Sequence, residues 1–435
     1  MRDHSGYIEK DRHEAMQDVL DAWEFERAVE TVAVPEALGR VAAADVVSLN
    51  TLPNKLTSNM DGIAVHFASI EGALADSPEE PEAHASAGGP HGGPGHGPGK
   101  GGVSGTIDTS SWKRGEDWQF CNTGIGMPGD FDTAIPIEWV DVSDDDEHVT
   151  LNRLPERHGN ATTAPGARLQ EGDLLVRAGE ELTPALLSVL NMGGHTQVEV
   201  VKRPVVAFIP TGNELVDAGK DLPLGKNVES NAVMICAKLQ QWGAEPLRYP
   251  IIPDDWEKLE ETLADAAAKA DIVVINAGSS KGSDDFTCEI LEANGRMMHH
   301  MLAQGPGRHC SGAFLEGTPV IGISGPPMGA EFTADWMVKP LVDRYLGLPG
   351  DYPPMVFARM EEDPGFWPGP VQVVRRGIVW RDENDELWAR VLNPEGRPEL
   401  RDFDRANCFI TFGRNVERWS AGEWHPVELR WPYVI

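Results

Sequence analysis

Between residues 203 and 347 the chain alternates β-branched apolar runs with stretches of helical periodicity, and this alternation restricts its fold more than any other feature. Residues 204–210, 246–252 and 272–276 read as strands, and 230–242 and 255–269 as helices. Strands separated by helices build a parallel sheet covered on both faces, and such sheets bind ligands at the carboxyl ends of their strands. The third strand runs into such an end in DIVVINAGSSKGSDDFT, residues 271–287. There Gly278 and Gly282 let the backbone turn tightly, Ser279 and Ser280 add hydroxyls, and the following helix presents free amide N–H groups to an anion. Lys281 adds a point charge, and Asp284 and Asp285 offer the oxygen ligands that magnesium takes when it bridges phosphates. Taken alone, the stretch is equally an ordinary strand-to-helix turn.

A chain of 435 residues is too long for one core, so three or four domains are expected. The expected division is an N-terminal unit of residues 1–50 with 155–203, an inserted β-rich unit 51–154, the α/β unit 204–348, and a small C-terminal β-barrel 349–435. The first unit opens on helical spacing in Met16, Val19, Leu20 and Trp23, with a second short helix expected before Leu49. The inserted unit carries a low-complexity stretch, 81–105, too rich in Gly and Pro to order itself. Its histidines His84, His91 and His96 fit incidental metal affinity better than a structural site. With 69 acidic against 37 basic side chains, the formal charge is −32, which repels nucleic acid and anionic membranes. An anionic substrate must then be captured by local donors; most of the acidic excess serves solubility. No apolar stretch approaches the length of a membrane span and five scattered cysteines form no CxxC pair, so a cytoplasmic address with reduced thiols is expected.

Three other loops share the vocabulary of glycine, acid and hydroxyl found after residue 276. Ser58-Asn59-Met60-Asp61-Gly62 places Asp61 at a turn, where a plain β-turn aspartate is the simpler reading. Asn122-Thr123-Gly124 has Glu138 downstream, and Thr211-Gly212-Asn213-Glu214-Leu215 sets a carboxylate at the sheet edge, with Asp254 and Asp255 closing the next strand. Each is weak alone; their order and spacing together are specific.

That ordered set resembles the molybdopterin molybdenumtransferase family, the MoeA proteins and the related C-terminal domain of gephyrin. The family's Ser-x-Met-Asp-Gly and Thr-Gly-x-x-x-Pro stretches stand here at 58–62 and 123–128, its Thr-Gly-Asp-Glu-Leu loop appears as Thr-Gly-Asn-Glu-Leu at 211–215, its aspartate pair as Asp254 and Asp255, its Gly-Gly-x-Ser-x-Gly-x-x-Asp loop as 277–285 with Ala277 first, and its Leu-Pro-Gly-Asn-Pro turn as Ile-Ser-Gly-Pro-Pro at 323–327. The resemblance implies an elongated multi-domain α/β and β protein, with a MogA/MoaB-like parallel α/β domain, working as a homodimer with its cleft between subunits. It implies insertion of molybdenum or tungsten from the oxyanion into adenylylated molybdopterin, with magnesium and release of AMP. Catalytic roles fall on Asp61, Glu214, Asp254 and Asp285, with Asp61, Glu214 and Asp285 holding metal. Substrate binding falls on Thr123, Thr211, Gly212, Gly278, Ser279, Ser280, Lys281, Gly282 and Arg308. A MogA-like adenylyltransferase and a client molybdoenzyme are the implied partners.

The chain departs from the family pattern in places that bear on catalysis. Where relatives carry two lysines around Pro-Gly-Lys-Pro, this chain has Gln304-Gly305-Pro306-Gly307-Arg308-His309, with Arg308 as the remaining cation and Lys281 as a candidate replacement for the lost one. An acid common in relatives is replaced within 165–168, and Pro326 displaces the asparagine of the 323–327 turn. These losses leave open a second reading, a protein that binds and delivers the pterin without turning it over; a scaffold like the gephyrin domain has little support. His299, His300, His309 and Cys310 form one further cluster, but neighbours on a strand face opposite sides, so surface or core histidines are the simpler reading.

Overall fold

The computed structural model describes residues 6–75, 102–103, 107–219, 221–276, 286–350, 353–364, 371–393, 402–413, 419–430 and 432. Gly278, Ser279, Ser280, Lys281, Gly282 and Asp285 lie outside the described residues, as does most of the low-complexity stretch with its three histidines.

The chain enters through a short strand β1 (Glu9–Lys10) and helix α1 (Arg12–Ala22), whose first turn is capped by the Asp11 carboxylate accepting from the His13 amide. The apolar side read from its spacing is buried, but against the α/β core: Ala15, Met16, Val19 and Trp23 pack with Val206, Phe208 and Trp336. The expected second helix is instead strand β2 (Val29–Ala33) followed by a single 3-10 turn, because Val29–Ala33 pairs antiparallel along its whole length with a later strand, Gln197–Val201. The inserted β-rich region is a three-stranded antiparallel sheet of β3 (Gly62–Val65), β4 (Trp118–Cys121) and β5 (Thr133–Pro136), with β3 central over Ile63, Trp118 and Ile135. Helix α2 (Pro184–Met192), N-capped by Thr183, then leads into β6 (Gln197–Val201), and Leu182, Leu190, Val198 and Val200 form a separate small core with Val34 and Ala42.

The α/β region comprises β7 (Val205–Pro210), α3 (Asn231–Gln241), β8 (Glu245–Arg248), α4 (Trp256–Lys269), β9 (Ile272–Asn276), α5 (Thr287–Asn294), β10 (Arg296–His299), β11 (Ser311–Leu315), β12 (Thr318–Ile323), α6 (Pro327–Thr333) and α7 (Lys339–Leu346). Its sheet order is β8-β7-β9-β12-β11-β10. The first four strands are parallel as expected, while β11 and β10 add an antiparallel edge. The sheet is buried on both faces: Val206, Phe208, Ile272 and Val274 point into one core, and Ala207, Ile209, Val273 and Ile275 into the other. A π-helical turn, Ala334–Val338, joins α6 to α7.

The last five strands close into a barrel. They are β13 (Met355–Met360), β14 (Gln372–Arg381), β15 (Leu387–Val391), β16 (Cys408–Phe412) and β17 (Trp424–Leu429). Pairing runs β14-β15-β13-β17-β16 and returns from β16 to β14. The barrel is joined to the α/β region by buried charge. Glu331 on α6 is fully buried and accepts from Arg376 of β14, at 3.0 Å from Nε, and pairs with Arg430 at 2.6 Å. Lys238 of α3 reaches Asp335 at 2.7 Å, and burial pushes the Asp335 carboxyl up against the opposing pull of that ammonium. Arg12 of α1 stacks 4.2 Å over Trp336 and bonds Glu428 of β17. Removing the shared carboxylate strands the buried Arg376 guanidinium, so Glu331→Met should cost about 3–5 kcal/mol in urea unfolding, and adding Arg376→Met should recover most of it. Equal losses for the single and double variants would contradict this role for the pair.

Candidate functional site

Strands β7 and β9 end side by side, and a chain of amides ties their ends to the end of β12 and the start of α3. The Thr211 amide and hydroxyl both donate to the Asn276 carbonyl, at 3.2 and 3.0 Å. The Asn276 side-chain amide donates to the Ser324 carbonyl at 2.8 Å, which turns its Oδ1 toward Asn231. Asn231 Nδ2 then donates both to that oxygen and to the Gly325 carbonyl, each at 2.8 Å. Because both acceptors are fixed, the orientation of both amides is set by the network. Thr211, Asn231 and Asn276 are all buried. Three strand ends and the start of α3 are thereby tied into one wall of a cavity of about 470 Å³, lined by Thr211, Glu214, Ser230, Asn231, Gly325 and Pro326 among others. The cavity sits at the carboxyl edge of the parallel strands and receives the N-terminus of an 11-residue helix.

The 211–215 loop owes its shape to Gly212, whose φ is +141° and where a Cβ would stand 2.5 Å from the Glu214 carboxylate. Asp254 holds the loop from beneath, its Oδ2 accepting from the Asn213 amide at 2.9 Å, while Lys226 Nζ donates to the Asn213 carbonyl at 2.5 Å. Asp255 caps α4 through the Lys258 amide at 3.1 Å. Thr211, Gly212, Glu214 and Asp254 are thus gathered at one edge. Glu229, which sequence reasoning missed, is buried beside the same cavity: it accepts from the Ala232 amide at 2.7 Å and from Arg248 at 3.1 Å, stiffening the first turn of α3. Its signal was an acid directly before a predicted helix.

Asp61 and Thr123 are brought together elsewhere, the Thr123 amide donating to Asp61 Oδ1 at 2.8 Å. Gly62, which follows Asp61 at the start of β3, lets β5 approach closely, since a Cβ there would meet the Ile135 carbonyl oxygen at 1.9 Å. Neither residue lines the cavity within one chain. Arg308 also stands apart from the lining, its Nη2 donating to Glu9 at 3.1 Å. Pro326, at the displaced asparagine position, forms part of the cavity wall. In the histidine cluster, His300 uses Nδ1 to accept from the Ile8 amide at 3.1 Å and Nε2 to meet Glu292 at 2.7 Å, which occupies both nitrogens. His299 is fully buried, which lowers its pKa to about 3, and burial pushes the Cys310 thiol up.

Known proteins share both the sequence regions and the fold that build this edge. Residues 11–194 match the model of the MoeA N-terminal region (domain I and II), and residues 207–344 that of a probable molybdopterin binding domain. A molybdopterin molybdenumtransferase of Haemophilus influenzae is 26% identical over 425 residues, covering 95% of this chain and 97% of the relative. One from Staphylococcus epidermidis is 28% identical over 335 residues, covering 76% and 75%. A molybdopterin biosynthesis MoeA protein from Pyrococcus horikosii shares the fold with a TM-score of 0.75 at 24% identity, over 97% of this chain and 99% of that one. With both matched regions in order along the chain, and the strand ends of the second meeting at the cavity, the chain belongs to the MoeA family of molybdopterin molybdenumtransferases.

Proposed function

We propose that this chain is a transferase of molybdenum cofactor biosynthesis, which takes adenylylated molybdopterin and an oxyanion of molybdenum or tungsten, inserts the metal into the pterin dithiolene and releases AMP. The observation that carries this reading is the Thr211–Asn276–Asn231–Gly325 network, which holds a carboxylate, Glu214, and a helix N-terminus around one cavity at the carboxyl edge of the sheet. Backbone donors of this kind suit a nucleotide's diphosphate in a chain whose net charge of −32 offers no general attraction. Thr211, Gly212 and the 278–282 loop bind the nucleotide; Asp254 keeps the 211–215 loop in position through Asn213. Glu214 and Asp285, with Asp61, are the residues that would hold magnesium, which when bound neutralises phosphate charge. Glu214 fits that role as a carboxylate already facing the cavity.

The reading extends to a homodimer in which the Asp61–Thr123 loop of one subunit completes the cavity of the other. It accounts for two pieces of one family constellation standing apart within a single chain, and exposed Leu38, Val47, Leu49, Leu174 and Met192 supply apolar surface for such an interface. We also propose the four domains with the boundaries given above, a cytoplasmic address, a MogA-like adenylyltransferase as source of the substrate and a client molybdoenzyme as recipient. Among the described residues no helix is long and apolar enough to cross a membrane. Pro326 in the cavity wall and the pairing of Arg308 with Glu9 favour one alternative, a binding and delivery protein.

Chromatographic detection of AMP after mixing the protein with molybdopterin adenylate, magnesium and molybdate or tungstate separates the two. The transferase reading expects release, lost by at least about 100-fold in Glu214→Gln with adenylate binding retained; tight binding with no release supports delivery. Light scattering at micromolar concentration should give twice the chain mass, and a strictly monomeric species would contradict the shared cavity.

A further inference from the structure

The N-terminal strand is fastened at every residue. The Ile8 amide donates to His300 Nδ1 at 3.1 Å, the His300 amide returns a bond to the Ile8 carbonyl at 2.9 Å, and the Ala303 amide donates to the Lys10 carbonyl at 2.8 Å. Glu9 pairs with Met301 in parallel register, Lys10 reaches the Asp18 carboxylate of α1, and Tyr7 stacks on His300 with ring centroids 4.3 Å apart. This strap presents the Glu9 carboxylate to the turn beside it, 3.1 Å from Arg308 Nη2. That turn abuts the cavity wall: a Cβ on Gly329 would stand 3.3 Å from the Gly307 nitrogen, and Ser324 Oγ donates to the His309 carbonyl at 3.4 Å, directly before Gly325 and Pro326.

We infer that Glu9 is a positioning residue that sets the oxyanion affinity of the site, by holding the Arg308 guanidinium in an ion pair that an incoming oxyanion must displace. The inference rests on the proposed function and on Arg308, the cation this chain keeps where the resembled family carries two lysines. A guanidinium grips an oxyanion through two parallel N–H donors. Glu9 takes one of those donors and adds a negative charge that a dianion has to approach. The side chains are 40% and 32% exposed, so the pair is wet enough to exchange and too weak to block capture outright. Because the strap is fixed by backbone bonds, Glu9 does not move aside with the arginine. The guanidinium swings from a rigid anchor to the anion and back.

Isothermal titration of the full-length protein with sodium molybdate, magnesium present and ionic strength fixed, tests this in wild type, Glu9→Gln, Arg308→Ala and the double variant. Glu9→Gln should tighten molybdate binding by about five-fold, the upper end of what a half-exposed ion pair supports. It should have no effect in the Arg308→Ala background, and Glu9→Asp, which keeps the charge, should return the affinity toward wild type. Unchanged or weaker binding in Glu9→Gln overturns the inference, as does tightening that persists without Arg308, or an Arg308→Ala variant that binds molybdate like wild type. AMP release measured on the same wild-type preparation reports on the proposed function separately, so either idea fails without the other.

Discussion

Two buried asparagines decide where this molecule can work. Asn276 ends the central strand β9 and Asn231 begins α3, and the hydrogen bond from the Asn231 amide to the Asn276 Oδ1 is oriented by fixed acceptors on either side. An isolated buried amide would cost free energy, whereas a connected chain of them specifies one geometry. Through this bond the ends of β7, β9 and β12 and the first turn of α3 become a single rigid edge, and Glu214 and the residues after 276 depart from it. Chemistry on a phosphate is mostly a matter of positioning and charge neutralisation, and a scaffold that pre-sets its donors meets both needs.

Charge does comparable work on the far side of the same helices. Lys238 lies on α3 and Glu331 and Asp335 on the helix after Pro326, so the elements lining the cavity are clamped two turns behind it by ion pairs. Arg376 and Arg430 bring the barrel into that clamp. Such pairs carry a desolvation penalty and add little net stability; their value lies in register, since a displaced barrel would strand Glu331 in an apolar interior.

Much of the α/β region was legible because its signals are local. Residues 272–276 are β-branched and stop at an asparagine, Asp255 sits where a helix cap belongs, and α3 and α4 run within a residue or two of their expected bounds. The antiparallel edge of β10 and β11 was not legible, since Arg296–His299 is half polar and gives no strand run. The full run of β14 to Arg381 was not legible, since Arg376 breaks its alternation to reach Glu331. The amphipathic face of α1 could be read but its partner could not, as periodicity says that a face is covered and not by what. Of the candidate site, the residues named from motifs at 211–215 and 254 meet as expected at one edge. Glu229 and Glu9 were missed because one acts as a cap and the other lies 299 positions from its arginine, a separation to which no local pattern extends.

On the proposed function, a single pterin nucleotide is held where the amide network meets Glu214. A crystal structure of the protein with molybdopterin adenylate and magnesium would settle whether it is. Density for the diphosphate is expected between the 211–215 loop and the residues after Asn276, against Ser230 and Gly325. Ordered ligand elsewhere, on the barrel or the inserted sheet, with that cavity holding only solvent, would contradict this placement.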